Sequence, residues 1–194
     1  MRTYATWKTD TYLDGVIVLS LDSGPVVNII NAQVVRELRE ILRELQTMHS
    51  NGLIKAAVIT SAKSSSFCAG ADIALINELL RNPDGARQFL EEARGIFLLV
   101  RKMPFPTVAA ISGDCLGGGL ELALICSARI ASDNPKTALA LPETQLGVIP
   151  GLGGTQTLPK LIGLLPAMDM ILSGRKLGTC STTWSRNFPA QNIP

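Results

Sequence analysis

The chain has 194 residues, 46% hydrophobic and 18% charged, with a formal net charge of +2. That composition fits one folded domain with a real core and argues against a disordered segment. The near-neutral charge leaves no electrostatic footprint for nucleic acid, and the longest apolar runs are broken by Arg101, Lys102 or Asp169, short of a membrane span.

Taken in order, residues 1–8 lack the apolar stretch of a secretory signal and show no clear mitochondrial transit pattern. Val16–Leu21 reads as a strand, and Ser23-Gly24-Pro25 as a turn. Asn31 is placed to cap a helix in which Val34, Leu38, Ile41, Leu42 and Leu45 form one apolar face. Arg36, Glu37, Arg39, Glu40, Arg43 and Glu44 read as its solvated face. His49 falls at the C-terminal end of this helix, where a cation suits the dipole. Ala56–Ser61 reads as a second buried strand. A short helix is predicted over 73–80, with Asp72 as its cap. Asn82-Pro83-Asp84-Gly85 reads as a break, and a long helix over 86–102 ends before Pro104 and Pro106.

The next stretch carries chemistry. Thr107–Ile111 is a predicted buried strand leading to Cys115-Leu116-Gly117-Gly118-Gly119-Leu120-Glu121, where three glycines open an apolar helical segment. Glycines let a ligand or another backbone approach their N–H groups, and the first N–H groups of a helix lack intrahelical partners. A developing oxyanion could be held there, with Glu121 about one turn away. Short strands are predicted at 129–132 and 137–140. A loop-rich segment, Leu141-Pro142-Glu143 through Pro150-Gly151-Leu152-Gly153-Gly154-Thr155-Gln156, then places a second lone carboxylate among apolar and glycine residues. Helices are predicted over 155–162 and 166–172.

With one histidine and four cysteines (Cys68, Cys115, Cys126, Cys180) that form no C-x-x-C pair, a zinc site is not expected. Three of these cysteines sit in apolar runs and read as reduced thiols. The glycine segments match neither G-x-G-x-x-G, nor a P-loop, nor a G-x-S-x-G elbow. The strand and helix alternation suits an α/β layered domain.

Three motifs, Phe67-Cys68-Ala69-Gly70-Ala71-Asp72, Gly117-Gly118-Gly119-Leu120-Glu121 and Pro142-Glu143 followed by Pro150 to Gln156, resemble in order and spacing those of the crotonase (enoyl-CoA hydratase/isomerase) family. The resemblance spans residues 12–178. Cys126 to Ala131 and Met168 to Arg175 place it nearest the branch that forms the hydratase domain of trifunctional α subunits. It implies an α/β fold, a crotonase-like spiral of ββα units, over residues 1–178 and incomplete at its C-terminus, with a tail over 179–194 unlike the family. From that ending, low solubility and weak activity of the chain alone are expected.

The resemblance also implies hydration of a trans-2-enoyl-CoA to a 3-hydroxyacyl-CoA in fatty-acid β-oxidation. Double-bond isomerisation, or a non-catalytic binding or assembly role, stand as alternatives. Backbone N–H groups of Ala71 and Gly118 would hold the thioester oxygen. Glu143 would act as acid/base and Glu121 would position water, with the reverse division left open. The two lie 22 positions apart (143 − 121), so only the fold can bring them together. Together in an apolar cavity, their pKa values should be pushed apart. Ala69, Asp72 and Ile73 are candidate CoA contacts. Many relatives carry Lys where this chain has Ala74, and Asp where it has Ser127. No metal or cofactor is implied beyond the coenzyme A of the acyl-CoA thioester substrate. The expected setting is a homo- or hetero-oligomer in the mitochondrial matrix, with no nucleic acid and no membrane span.

Overall fold

The computed structural model describes residues 3–12 and 14–178; the tail expected over 179–194, with Cys180, lies outside the described residues. Nine strands, six helices and a 3-10 turn occur among them. One sheet has the order β1 (Trp7–Thr11), β2 (Val16–Leu21), β3 (Ala56–Ser61), β5 (Thr107–Ile111), β7 (Ala128–Ala131). It is parallel except for β1, which pairs antiparallel with β2. A second sheet runs β4 (Ser66–Cys68), β6 (Asp114–Leu116), β8 (Ala138–Ala140), β9 (Leu177–Gly178).

The chain alternates between these sheets. β3 is followed by β4, then by helices α2 (Ile73–Arg81) and α3 (Pro83–Arg101). β5 is followed by β6 and α4 (Gly118–Ile125), and β7 by β8 and the 3-10 turn Pro142–Leu146. Each turn adds one strand to each sheet and one helical layer, which is a spiral of ββα units. An isolated bridge between Ile30 and Ala71 starts the second sheet ahead of α1 (Ala32–Ser50). The chain closes with α5 (Gly154–Ile162), α6 (Leu164–Ser173) and β9.

The local causes are visible in the side chains. β2 alternates, with Ile17, Leu19 and Leu21 inward. α1 buries Val34, Val35, Leu38, Ile41, Leu42 and Leu45, and Asn31 Oδ1 accepts the Val34 N–H at its start. α4 is buried on every side, as expected of a helix without a polar face. Asn28, fully buried, donates from Nδ2 to Leu21 O, Ser61 Oγ and Phe67 O, so it ties β2, β3 and β4 together.

Several sequence expectations need correction. The break at Asn82 to Gly85 is a helix start: Pro83 occupies the first turn of α3, and Asn82 Oδ1 accepts the Gly85 N–H. The charged face of α1 is only partly solvated. Glu37 accepts from Ala5 N, Thr6 N and Thr6 Oγ1, Glu44 accepts from Tyr4 Oη, and Arg39 pairs with Glu92 at 3.0 Å. These bonds dock the N-terminal segment, whose strand β1 has no strong pattern of its own. Strand β6 also separates β5 from the glycine turn, so α4 follows a strand of the second sheet. No described helix is long and apolar enough to cross a membrane.

Candidate active site

The three motifs meet where β4, β6 and the 3-10 turn come together. After β4, Gly70 takes a positive φ of 95° and its carbonyl accepts the Ile30 N–H. Asp72 N–H donates back to Ile30 O, and Asp72 Oδ1 accepts the Ala74 N–H to cap α2. The Ala71 N–H between them has no acceptor among the described residues. Gly117, at φ 51°, turns the chain from β6 into α4 and leaves the Gly118 N–H as the first orphan donor of that helix. The two donors are neighbours. A Cβ built on Gly118 would stand 4.0 Å from the Ala71 nitrogen, and one built on Gly70 would stand 3.4 Å from the Gly118 nitrogen.

Glu143 lies beside this pair. Its Oε1 would be 3.0 Å from a Cβ on Gly117, so that glycine is needed for space as well as for its φ. Its Oε2 is buried with no hydrogen-bond partner among the described residues. Burial pushes the Glu143 carboxyl up to about 7, and the negative charge of Glu121 adds to the rise.

Glu121 sits in the first turn of α4 at 2% exposure. Its Oε1 accepts two N–H groups at the start of α5, from Leu152 at 2.8 Å and Gly154 at 2.7 Å. Burial raises its carboxyl above the usual range, while those two donors and the Arg94 charge oppose the rise. The glycines of the Pro150 to Gln156 motif thereby acquire a reason. Gly153 takes φ 113°, and a Cβ on Gly154 would come within 3.0 Å of Glu121 Oε1. No partner for that motif is evident from the sequence alone. A glycine-rich helix start is a ready anion site, and a lone buried carboxylate upstream was the signal for what fills it.

The other candidates lie around this centre. Ala69 donates its N–H to Asn28 O at 2.8 Å, and Asp72 is engaged as a cap. Ile73, the first residue of α2, is 63% exposed. Ser127, in the turn between α4 and β7, exchanges hydrogen bonds with Thr107 at the start of β5, which gives the serine a structural use. Cys68, Cys115 and Cys126 are buried free thiols, and burial pushes Cys68 and Cys126 up to about 12, so they are unsuited to nucleophilic work.

A two-sheet α/β spiral with two carboxylates beside backbone donors left unpaired among the described residues is a crotonase-type domain. The chain belongs to the enoyl-CoA hydratase/isomerase family, whose model matches residues 11–181. The alpha subunit of a fatty acid oxidation complex from Shewanella halifaxensis is 43% identical over 165 residues, 84% of this chain and 23% of that subunit. The crystal structure of an enoyl-CoA hydratase from Bacillus anthracis superposes with a TM-score of 0.82 at 33% identity, covering 93% of this chain and 66% of that one. DspI from Pseudomonas aeruginosa superposes at 0.85 with 28% identity, covering 96% and 72%. The chain thus spans about a quarter of the curated relative's length.

Proposed function

We propose that the domain hydrates trans-2-enoyl-CoA thioesters to 3-hydroxyacyl-CoA. The observation that carries this reading is the convergence of two N–H groups, Ala71 and Gly118, beside Glu143 and near the charge of Glu121, with neither the two donors nor Glu143 Oε2 paired among the described residues. The donors bind the thioester oxygen as it gains charge, and their alignment costs nothing at the moment of reaction. Glu121, held by α5, fixes the attacking water. Glu143, titrating near neutrality, takes the water's proton and delivers one to Cα as the enolate collapses. No cofactor is needed beyond the coenzyme A carried by the substrate. The reading extends to work within a larger assembly, because the curated relative is named as a subunit of a complex. The exposed row Leu165, Met168 and Leu172 on α6 also needs a cover.

The isomerase alternative draws on one feature: Glu143 Oε2 has no partner among the described residues while Glu121 Oε1 already accepts two backbone hydrogen bonds, so a single carboxylate could shuttle the proton. The test is to incubate the chain with crotonyl-CoA and longer 2-enoyl-CoAs and follow loss of the conjugated thioester absorbance. Loss with 3-hydroxyacyl product is expected. Turnover of 3-enoyl-CoA alone would move the assignment to isomerase, and a folded chain inert toward both would sink it.

A further inference from the structure

We propose that Arg94 is a positioning residue for the reaction, fixing Glu121 through the single peptide unit between Gly151 and Leu152. The inference rests on the reading of Glu121 given above. Helix α3 turns Ala93, Ile96, Phe97 and Val100 into the core. Leu90 and Arg94, one turn apart, lie over the loop ahead of α5. Arg94 Nε donates to Gly151 O at 2.6 Å. A Cβ on Gly151 would come within 2.9 Å of Leu90 Cδ2, so the loop backbone is pressed against this face.

The carbonyl that Arg94 holds and the Leu152 N–H that holds Glu121 Oε1 belong to one planar amide. In a trans peptide these two groups point in opposite directions and cannot turn independently. Arg94 therefore fixes the carbonyl side of the amide while Glu121 takes the N–H side. A cation on the carbonyl also polarises that N–H, strengthening its bond to the carboxylate. The ion pair between Arg39 and Glu92 anchors α3 to α1 on another side, so the Arg94 contact has a fixed support. The charged groups around Glu121 are Glu143 from the 3-10 turn and Arg94 from α3. Glu91 and Arg87 share the α3 groove with Arg94.

The test compares Arg94→Met and Arg94→Lys with the parent chain. It reads urea stability, kcat and KM for crotonyl-CoA, and the carbon-13 titration of the Glu121 carboxyl, assigned with Glu121→Gln. Arg94→Met is expected to fold with near-parental stability. Its kcat should fall on the order of tenfold, with KM within about twofold, because misplacing a group near the chemistry costs rate more than binding. Its Glu121 midpoint should move to higher pH, and added salt should shrink the difference. Arg94→Lys should restore the midpoint more fully than kcat, since it keeps the charge and loses the rigid planar Nε donor that holds Gly151 O. Parental kcat with an unmoved midpoint in Arg94→Met overturns the proposal, as does a stability loss with an unmoved midpoint, which would mark Arg94 as structural only. If the parent chain hydrates nothing, the functional reading fails separately, and the carboxyl titration still decides whether Arg94 acts on Glu121.

Discussion

Replacing Glu143 by glutamine should make the protein more stable at pH 8 while removing its activity. Glu143 titrates at about 7 in the fold against an ordinary 4.5. Its folded-state pKa is raised, so between those values the folded chain holds a proton that the unfolded chain has released. Stability then falls as pH climbs through that window, and the whole cost is present above 7. At 1.36 kcal/mol per pH interval the cost reaches about 3 kcal/mol. The carboxyl is not fully enclosed, and the glutamine amide would stand where Oε2 has no partner among the described residues, so about 2 kcal/mol of net gain is the working figure. Urea titrations of parent and Glu143→Gln at pH 8 and pH 5 measure it. The variant should gain at pH 8 and gain far less at pH 5, where the folded carboxyl is already protonated and the cost left by the unfolded chain's ionisation is under about 1 kcal/mol. The same stability difference at both pH values would refute the account, because the cost would then not come from an ionised, desolvated carboxylate.

Four further outcomes follow from the same geometry. Glu143→Gln and Glu121→Gln should each lower hydration by about 10² to 10⁴ in kcat while leaving acyl-CoA binding largely intact; Glu121→Gln should also remain folded, because the amide oxygen can still accept from Leu152 and Gly154. Turnover close to the parent's in either variant removes that residue's role. Gly118→Pro should lose roughly 10² to 10³ more in kcat than Gly118→Ala. Both place a Cβ against Ile30 and Leu152, but only proline lacks the N–H, and the first helical position tolerates it; equal losses would take this donor out of the site. Gly117→Ala should cost about 1 to 3 kcal/mol through its φ of 51° and displace Glu143, read as a fall in both melting temperature and kcat. Asn28→Ala should destabilise by roughly 2 to 4 kcal/mol, since it strips donors from three acceptors at one buried point; a loss under half a kilocalorie would show that water replaces them.

Much of this architecture was legible because periodicity and capping are local. α1 announced itself through Asn31 and its apolar row, and β2, β3 and β5 through short buried runs. What failed was local evidence overruled by distant contacts. β1 has no clear alternation; it forms by pairing with β2, and Glu37 and Glu44 on α1 bind residues 4–6 that lead into it. Pro83 and Gly85 look like breakers, yet one fits a first helical turn and the other donates to Asn82. The candidate site was legible as three motifs but not as a mechanism of support. No spacing rule links Glu121 to Leu152, or Arg94 to Gly151 across 57 positions.

The spiral explains why those long links are possible at all. Each ββα turn ends a strand of the second sheet at the same edge, so β4, β6 and β8 run parallel with Cys68 beside Cys115 and Leu116 beside Ala140. The loops that leave those ends carry Ala71, Gly118 and Glu143 respectively. Three segments separated by tens of residues are thereby stacked a strand spacing of about 4.8 Å apart. That spacing suits two amide donors and a carboxylate acting on one small group. The backbone also makes the donors cheap to hold, because Gly70, Gly117 and Gly119 admit close approach where a Cβ would meet Leu116, Glu143 and Cys68. The least replaceable parts of the site are therefore main-chain atoms. Tolerance to substitution should be lowest at these glycines, below that at the exposed candidates such as Ile73.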